Sequence, residues 1–192
     1  NPRASEVLGL KAYPDLVSIP ERMDLVIVSV PAREVPGVLE DCIAAGDKNV
    51  QVFTSGFSET GEEQGKQLEE EVREVALRGG LHLVGPNCMG INIPAAGLLT
   101  LHRSPVDSGP VAFLAQSGGH CMQFTRCAKE YGIGFSKVIS YGNACVMDST
   151  DFLEYLATDS ETKIITLYLE GVKNGKKLLG LIKEINLIKP VI

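Results

Sequence analysis

The chain has 192 residues, 44% hydrophobic and 22% charged, with a net charge of −6 and a pI of about 5.1. That charge argues against nucleic acid or an anionic membrane surface as a partner, and no apolar run approaches the roughly 20 residues of a membrane span. The cysteines (Cys42, Cys88, Cys121, Cys127 and Cys145) are odd in number and widely spaced, which fits reduced thiols in a cytoplasmic protein better than disulfides or a zinc site. Residues 24–30 are an unbroken, β-branched apolar run, expected as a strand buried on both faces. Val35, Val38, Leu39 and Cys42 share one face of a helix over residues 34–45, stopped by Gly46. A second strand is expected at 50–54 and a loop at 55–58. A long charged helix follows at 62–78, with Leu68, Val72, Val75 and Ala76 as its apolar stripe. Its acidic run, Glu62, Glu63, Glu69, Glu70, Glu71 and Glu74, reads as a solvated face with no metal role.

A third strand at 81–84 ends in the turn Gly85-Pro86-Asn87-Cys88-Met89-Gly90. Residues 92–109 read as a connector, with the boundary near Pro105 and domains at 1–106 and 107–192. Alternation then resumes, with strands at 111–115, 137–140 and 163–169 and helices at 121–131, 150–157 and 175–188. Val191 opens a further strand. Strands alternating with helices imply parallel sheets covered by helices on both faces, and ligands of such sheets sit beyond the C-terminal strand ends. Asn1 in place of an initiator methionine, and a strand only begun at Val191, are read as a piece of something longer.

One of those strand ends carries a specific signal. Residues 111–115 run into Gln116-Ser117-Gly118-Gly119 and then into a helix. A glycine corner at a helix start presents free backbone N–H groups and the positive end of the helix dipole, a site suited to phosphate. The same residues also make an ordinary capped turn. His120, beside the corner, reads as a secondary contact or a solvated residue. His82 lies in a strand and reads as structural, and His102 has no legible role.

Eight ordered segments carry a resemblance over nearly the whole chain: Val28-Ser-Val-Pro-Ala32, Phe53-Thr-Ser-Gly-Phe57, Gly85-Pro-Asn-Cys-Met-Gly90, Ala115-Gln-Ser-Gly118, Tyr131-Gly-Ile-Gly-Phe-Ser136, Ser140-Tyr-Gly-Asn143, Asp151-Phe-Leu-Glu-Tyr-Leu156 and Leu167-Tyr-Leu-Glu-Gly171. In these the chain resembles NDP-forming acyl-CoA synthetases (acetate–CoA ligase, ADP-forming) and the succinyl-CoA synthetase alpha subunit. The resemblance implies an α/β chain with a truncated Rossmann-like CoA-binding domain, its first strand and Gly-rich loop lying before Asn1. A flavodoxin-like ligase domain follows, incomplete at its C-terminus. It further implies acyl-CoA formation from a carboxylic acid, CoA and NTP through an acyl phosphate and a phosphohistidine. ATP or GTP with magnesium would sit in an ATP-grasp module absent from this chain, and an ATP-grasp domain or subunit and an oligomer are the implied partners.

By the same resemblance, Glu170 orients a histidine located outside the chain, and Ser117, Gly118 and Gly119 hold the phosphoryl group. Phe53, Thr54 and Ser55 contact CoA, with Pro31 and Ala32 on its adenosine side. Asn87 and Cys88 lie near the reacting end; Cys88 reads equally as a positional residue, since CoA brings its own thiol, and as a small buried residue. Asn143 reads equally as a shaper of the phosphate edge and as a turn residue. A non-catalytic CoA- or acyl-CoA-binding regulatory module is the alternative. A nicotinamide-dependent dehydrogenase ranks last, since no Gly-x-Gly-x-x-Gly follows a strand in the chain.

Overall fold

The computed structural model describes residues 3–101 and 107–192. Two α/β modules follow one another. The first opens with a small antiparallel hairpin, β1 (Glu6–Val7) and β2 (Leu10–Lys11), turned by Leu8 and Gly9, both at positive φ. Then come β3 (Val26–Val28), α1 (Val35–Ala45), β4 (Asn49–Val52), α2 (Glu63–Gly79) and β5 (His82–Val84). These strands form a parallel sheet in the order β3-β4-β5. Gly46 and Gly80 end the two helices in the left-handed conformation, where the absence of a Cβ removes the steric cost. The core of this module joins Val26, Val28, Leu39, Val50, Val52 and Val72.

Two short strands lie between the modules, β6 (Gly90–Ile93) and β7 (Leu98–Leu99). The second module holds β8 (Ser108–Ala115), α3 (Gly118–Glu130), β9 (Phe135–Ser140), α4 (Ser149–Thr158), β10 (Ile164–Tyr168) and α5 (Gly175–Ile185). Strands β6 and β7 join its sheet, whose order is β10-β8-β9-β6-β7. The parallel pairs β10–β8 and β8–β9 make the centre, and Val191 adds a parallel bridge outside β10 at Ile165. Strand β9 is buried along its whole length. It even carries Lys137, whose charge is met by Asp159 at 2.6 Å and Glu161 at 3.0 Å.

Three expectations are corrected. Part of the segment read as a connector is sheet: β6 pairs antiparallel with β9 and with β7, so this sheet is mixed. Strands of two to four residues carry too little periodicity to be read against Pro94 and Gly97. The 24–30 run is shorter as a strand and is not buried on both faces. Ile27 is 47% exposed, since β3 is the outermost of the three strands that this chain places in the sheet and a groove runs along it. The hairpin at β1–β2 had no counterpart in the sequence pattern. His102 and Pro105 lie outside the described residues.

Candidate functional site

The loops and helix starts that leave the C-terminal strand ends of the two sheets hold the candidate site residues named above. In the second module β8 runs into Gln116 and Ser117, and α3 starts at Gly118. Ser117 caps the helix, its Oγ accepting from the His120 N–H at 3.3 Å. The Gly118 and Gly119 N–H groups lie in the first turn, where a helix has no internal acceptor to offer. A Cβ at Gly118 would come within 2.1 Å of Met89 Cγ, so glycine lets the corner pack against the 85–90 turn.

Glu170 sits level with this corner. Ala115 pairs with Tyr168 in the parallel register, so Ser117 and Glu170 each lie two residues past a matched pair, on strands roughly 4.8 Å apart. The two turns are tied directly. Gln116 N–H donates to Tyr168 O at 3.1 Å, and Gln116 Oε1 accepts from the N–H groups of Glu170 and Gly171 at 2.6 and 2.9 Å. The Glu170 backbone is thereby fixed while its side chain stays exposed. The His120 ring stacks on Tyr168 with centroids 4.3 Å apart, and its Nδ1 lies 3.0 Å from Ser117 Oγ.

Beside this corner is a cavity of about 250 Å³ lined by Gln116, Tyr141, Ser149, Gly171 and Lys173 among others. Tyr141 is 1% exposed, and its hydroxyl has no well-formed hydrogen bond among the described residues. Burial pushes its pKa up, Ser149 beside it opposes the rise only in part, and the Asp148 and Glu170 carboxylates add to it, so the group stays an O–H donor. The Lys173 ammonium caps Ala144 O. A ligand entering here meets a phenol, a carboxamide and an ammonium, opposed by nearby carboxylates.

The first-module edge gathers the remaining candidates. Pro31 and Ala32 follow β3, Phe53, Thr54 and Ser55 follow β4, and Asn87 and Cys88 follow β5. Thr54 Oγ1 donates to Val30 O at 2.7 Å, and Asn87 N–H donates to Thr54 O at 2.9 Å, which strings the three loops together. Ser55 and Pro31 are exposed, whereas Phe53 is half-buried. A groove of about 330 Å³ runs between Ala32 and Arg33 on one side and Gly56, Thr60 and Gln64 on the other. Cys88 is 3% exposed. Its thiol points at Val52 O at 3.3 Å, and burial pushes its pKa up to about 12. It is a packing group and carries no reactive thiolate.

Where the modules meet, Asn143 is held on every side. Its Nδ2 donates to Glu59 Oε2 at 2.6 Å and Glu69 Oε2 at 2.7 Å, and its Oδ1 accepts from Asn87 Nδ2 at 3.2 Å. Glu69 also accepts from Ser58 Oγ at 2.6 Å. The acidic run of α2 is therefore not uniformly a solvated face. Glu69 stands four residues after buried Gly65 and three before buried Val72, and that spacing was the available signal. Gln116, Tyr141, Lys173, Arg33 and Glu59 were also missed; Glu59 sits in a short 3-10 turn without periodicity. His82 is an edge residue whose Nδ1 lies 3.0 Å from Asn49 Oδ1. Among the described residues no group of three or more His, Cys, Asp or Glu side chains could hold a metal ion, and no helix is long and apolar enough to cross a membrane.

Comparison with known proteins identifies both modules. Residues 1–94 match the family described as "CoA binding domain", and residues 108–192 match "Succinyl-CoA ligase like flavodoxin domain". The chain is 44% identical to acetate–CoA ligase [ADP-forming] I of Archaeoglobus fulgidus, with 100% of this chain and 28% of that protein covered. It is 42% identical to the acetate–CoA ligase [ADP-forming] II subunit alpha of Pyrococcus furiosus, covering 100% of this chain and 42% of the subunit. A solved structure of the dinucleotide forming acetyl-coenzyme A synthetase 1 of Ca. Korarchaeum cryptofilum, in complex with phosphate and ADP, superposes with a TM-score of 0.91 at 36% identity. The match covers 100% of this chain and 41% of that one. The chain thus spans less than half the length of these relatives.

Proposed function

The chain belongs to the NDP-forming acyl-CoA synthetase and succinyl-CoA synthetase alpha-subunit family, and we propose that it supplies the CoA-binding and first ligase regions of an acid–CoA ligase. The reaction is acid + CoA + NTP to acyl-CoA + NDP + phosphate, through an acyl phosphate and a phosphohistidine. The observation that carries the reading is the level placement of two parts on neighbouring strands: the Ser117–Gly119 corner, suited to a phosphoryl group, and Glu170, a carboxylate on a backbone fixed by Gln116.

In this reading the Gly118 and Gly119 N–H groups and the Ser117 hydroxyl stabilise charge on the transferring phosphoryl group. They are pre-set by the helix and need no reorganisation. Glu170 accepts a hydrogen bond from a histidine outside the chain, fixes its tautomer and stabilises its cationic form as phosphoryl transfer proceeds. CoA lies along the first-module strand ends at Pro31, Ala32, Phe53, Thr54, Ser55 and Asn87. Arg33 stands at the 330 Å³ groove as a cation for its phosphates. Cys88 supports the Asn87 turn from the core. ATP or GTP and magnesium belong to an ATP-grasp domain or partner subunit. A small carboxylic acid is the substrate, the assembly is an oligomer, and the cytoplasm is its compartment. We place the domain boundary at residues 106/107.

The test is phosphoenzyme formation in the complete ligase. Glu170→Gln is expected to cut phosphoenzyme formation and turnover, and His120→Ala to leave the phosphoenzyme intact. Loss of the phosphoenzyme in His120→Ala alone would overturn the site assignment. CoA binding without any phosphoenzyme would favour the regulatory module.

A further inference from the structure

The junction between the modules carries an arrangement that the phosphoryl site and the CoA segment do not by themselves require. Residues 143–147, which leave the second-module strand β9, are hydrogen-bonded to the first module. Asn143 N–H donates to Pro86 O at 3.0 Å, Cys145 N–H to Gly85 O at 3.0 Å, and Met147 N–H to Leu83 O at 3.3 Å. Cys145 and Val146 pack into the first-module core. Among the described residues only Leu8, Asn87 and Ala144 are non-glycine residues at positive φ, and two of those three flank this contact. Such conformations persist where the surroundings over-determine them.

Asn143 is at the centre. Its two amide hydrogens reach two carboxylates, one from each of two separate first-module segments. Glu59 also accepts from the N–H groups of Gly56 at 2.6 Å and Phe57 at 3.2 Å, and so shapes the loop that follows the segment assigned to CoA. On its other side Asn143 lines the 250 Å³ cavity with Gln116 and Gly171. A single side chain therefore contacts both the loop that follows the CoA segment and the rim of the phosphoryl side. Two carboxylates brought onto one neutral donor repel each other, and the two N–H bonds of that donor offset the repulsion, which makes the joint sensitive to the placement of either glutamate.

We propose that Asn143 is a positioning residue that couples occupancy of the CoA segment at residues 53–55, through the loop at 56–59, to the geometry of the second-module cavity. This rests on the reading of Phe53, Thr54 and Ser55 as CoA-contacting. A molecule that shifts the 53–57 backbone moves Glu59, Glu59 moves Asn143, and Asn143 moves the 143–147 segment and the cavity rim. The acyl-transfer half of the reaction would in this way report to the phosphoryl half.

Backbone hydrogen exchange of the complete ligase, with and without CoA, tests the coupling. In the unaltered ligase CoA should slow exchange at Asn143, Cys145 and Met147 by roughly fivefold or more, the lower range of known site-to-site couplings. In Asn143→Ala, which keeps the backbone N–H groups, CoA should still slow residues 54–57 but change residues 145 and 147 less than about twofold. Glu69→Gln, which leaves the CoA segment and Asn143 intact and removes one carboxylate charge, serves if Asn143→Ala fails to fold, and should give an intermediate response. Equal slowing in the variants and the unaltered ligase, or slowing confined to 54–57 in the unaltered ligase, would overturn the proposal. Absence of any CoA effect, at 54–57 included, would remove the CoA reading and this inference with it.

Discussion

Replacing Gly142 by alanine should break the seam that aligns the two strand-end clusters. Gly142 has φ of +56°, and a Cβ there would lie 2.2 Å from Pro86 O and 2.4 Å from Asn87 O, both backbone atoms of the opposing turn. The left-handed conformation alone costs an alanine about 1 kcal/mol. The two turns must also part, which releases the Asn143–Pro86, Cys145–Gly85 and Met147–Leu83 hydrogen bonds, at about 1 kcal/mol net each. The total is about 4 kcal/mol, or a fall in Tm of about 8 °C or more for a chain of this size. Calorimetric or circular-dichroism melting measures it. Gly180→Ala is the control: Gly180 lies inside α5, and a Cβ added there would meet nothing within 4 Å, so alanine should be neutral or stabilise by up to about 1 kcal/mol. A Gly142→Ala chain melting within about 2 °C of the control, a shift worth only about 1 kcal/mol or less, would refute the interlock.

Three further outcomes follow from the site. Gln116→Ala removes the acceptor of two solvent-accessible N–H groups, so its stability cost should stay near ~1 kcal/mol. Turnover of the complete ligase should nonetheless fall by about 100-fold through a displaced Glu170; unchanged kcat would remove Gln116 from the account. For Glu59, burial opposes ionisation, but hydrogen bonds from Asn143, Gly56 and Phe57 outweigh it and hold the carboxyl below its ordinary value of 4.5. Its contribution to stability is thus fully present above that ordinary value and is lost as pH falls through the lower folded-state value. A pH series of melting temperatures should show Glu59→Gln flattening this acid limb, and an unaltered limb would contradict the assignment. Alkylation of the folded chain near pH 8, followed by peptide mass mapping, should label exposed Cys127 quickly and leave Cys88 unmodified; fast labelling of Cys88 would show that its thiol is not packed.

The helices and the parallel strands were legible because each carries a sustained period: the Val35–Cys42 face, the Leu68–Ala76 stripe, and the apolar runs of β8 and β10. The strand-end rule then placed Ser117, Glu170, Thr54 and Asn87 at the ligand edges from pattern alone. Strands β6 and β7 were not legible, since four and two residues around a Pro-Gly turn hold no usable period. The open face of Ile27 was hidden for another reason. A run of apolar residues marks burial in a complete sheet, and within this chain β3 is the outermost strand. Partnerships across the modules were beyond reach from the sequence: Glu69 meets Asn143 from 74 residues away and Gln116 meets Glu170 from 54. Charge or amide character at one position does not announce a partner that the fold alone brings near.

The most direct test of the central claim is calorimetric titration of CoA into the complete protein, with NADH as control and a Thr54→Val/Ser55→Ala variant beside it. The account predicts that CoA binds, that the double substitution weakens it, and that NADH does not compete. NADH binding with none for CoA would contradict the account and restore the dehydrogenase reading.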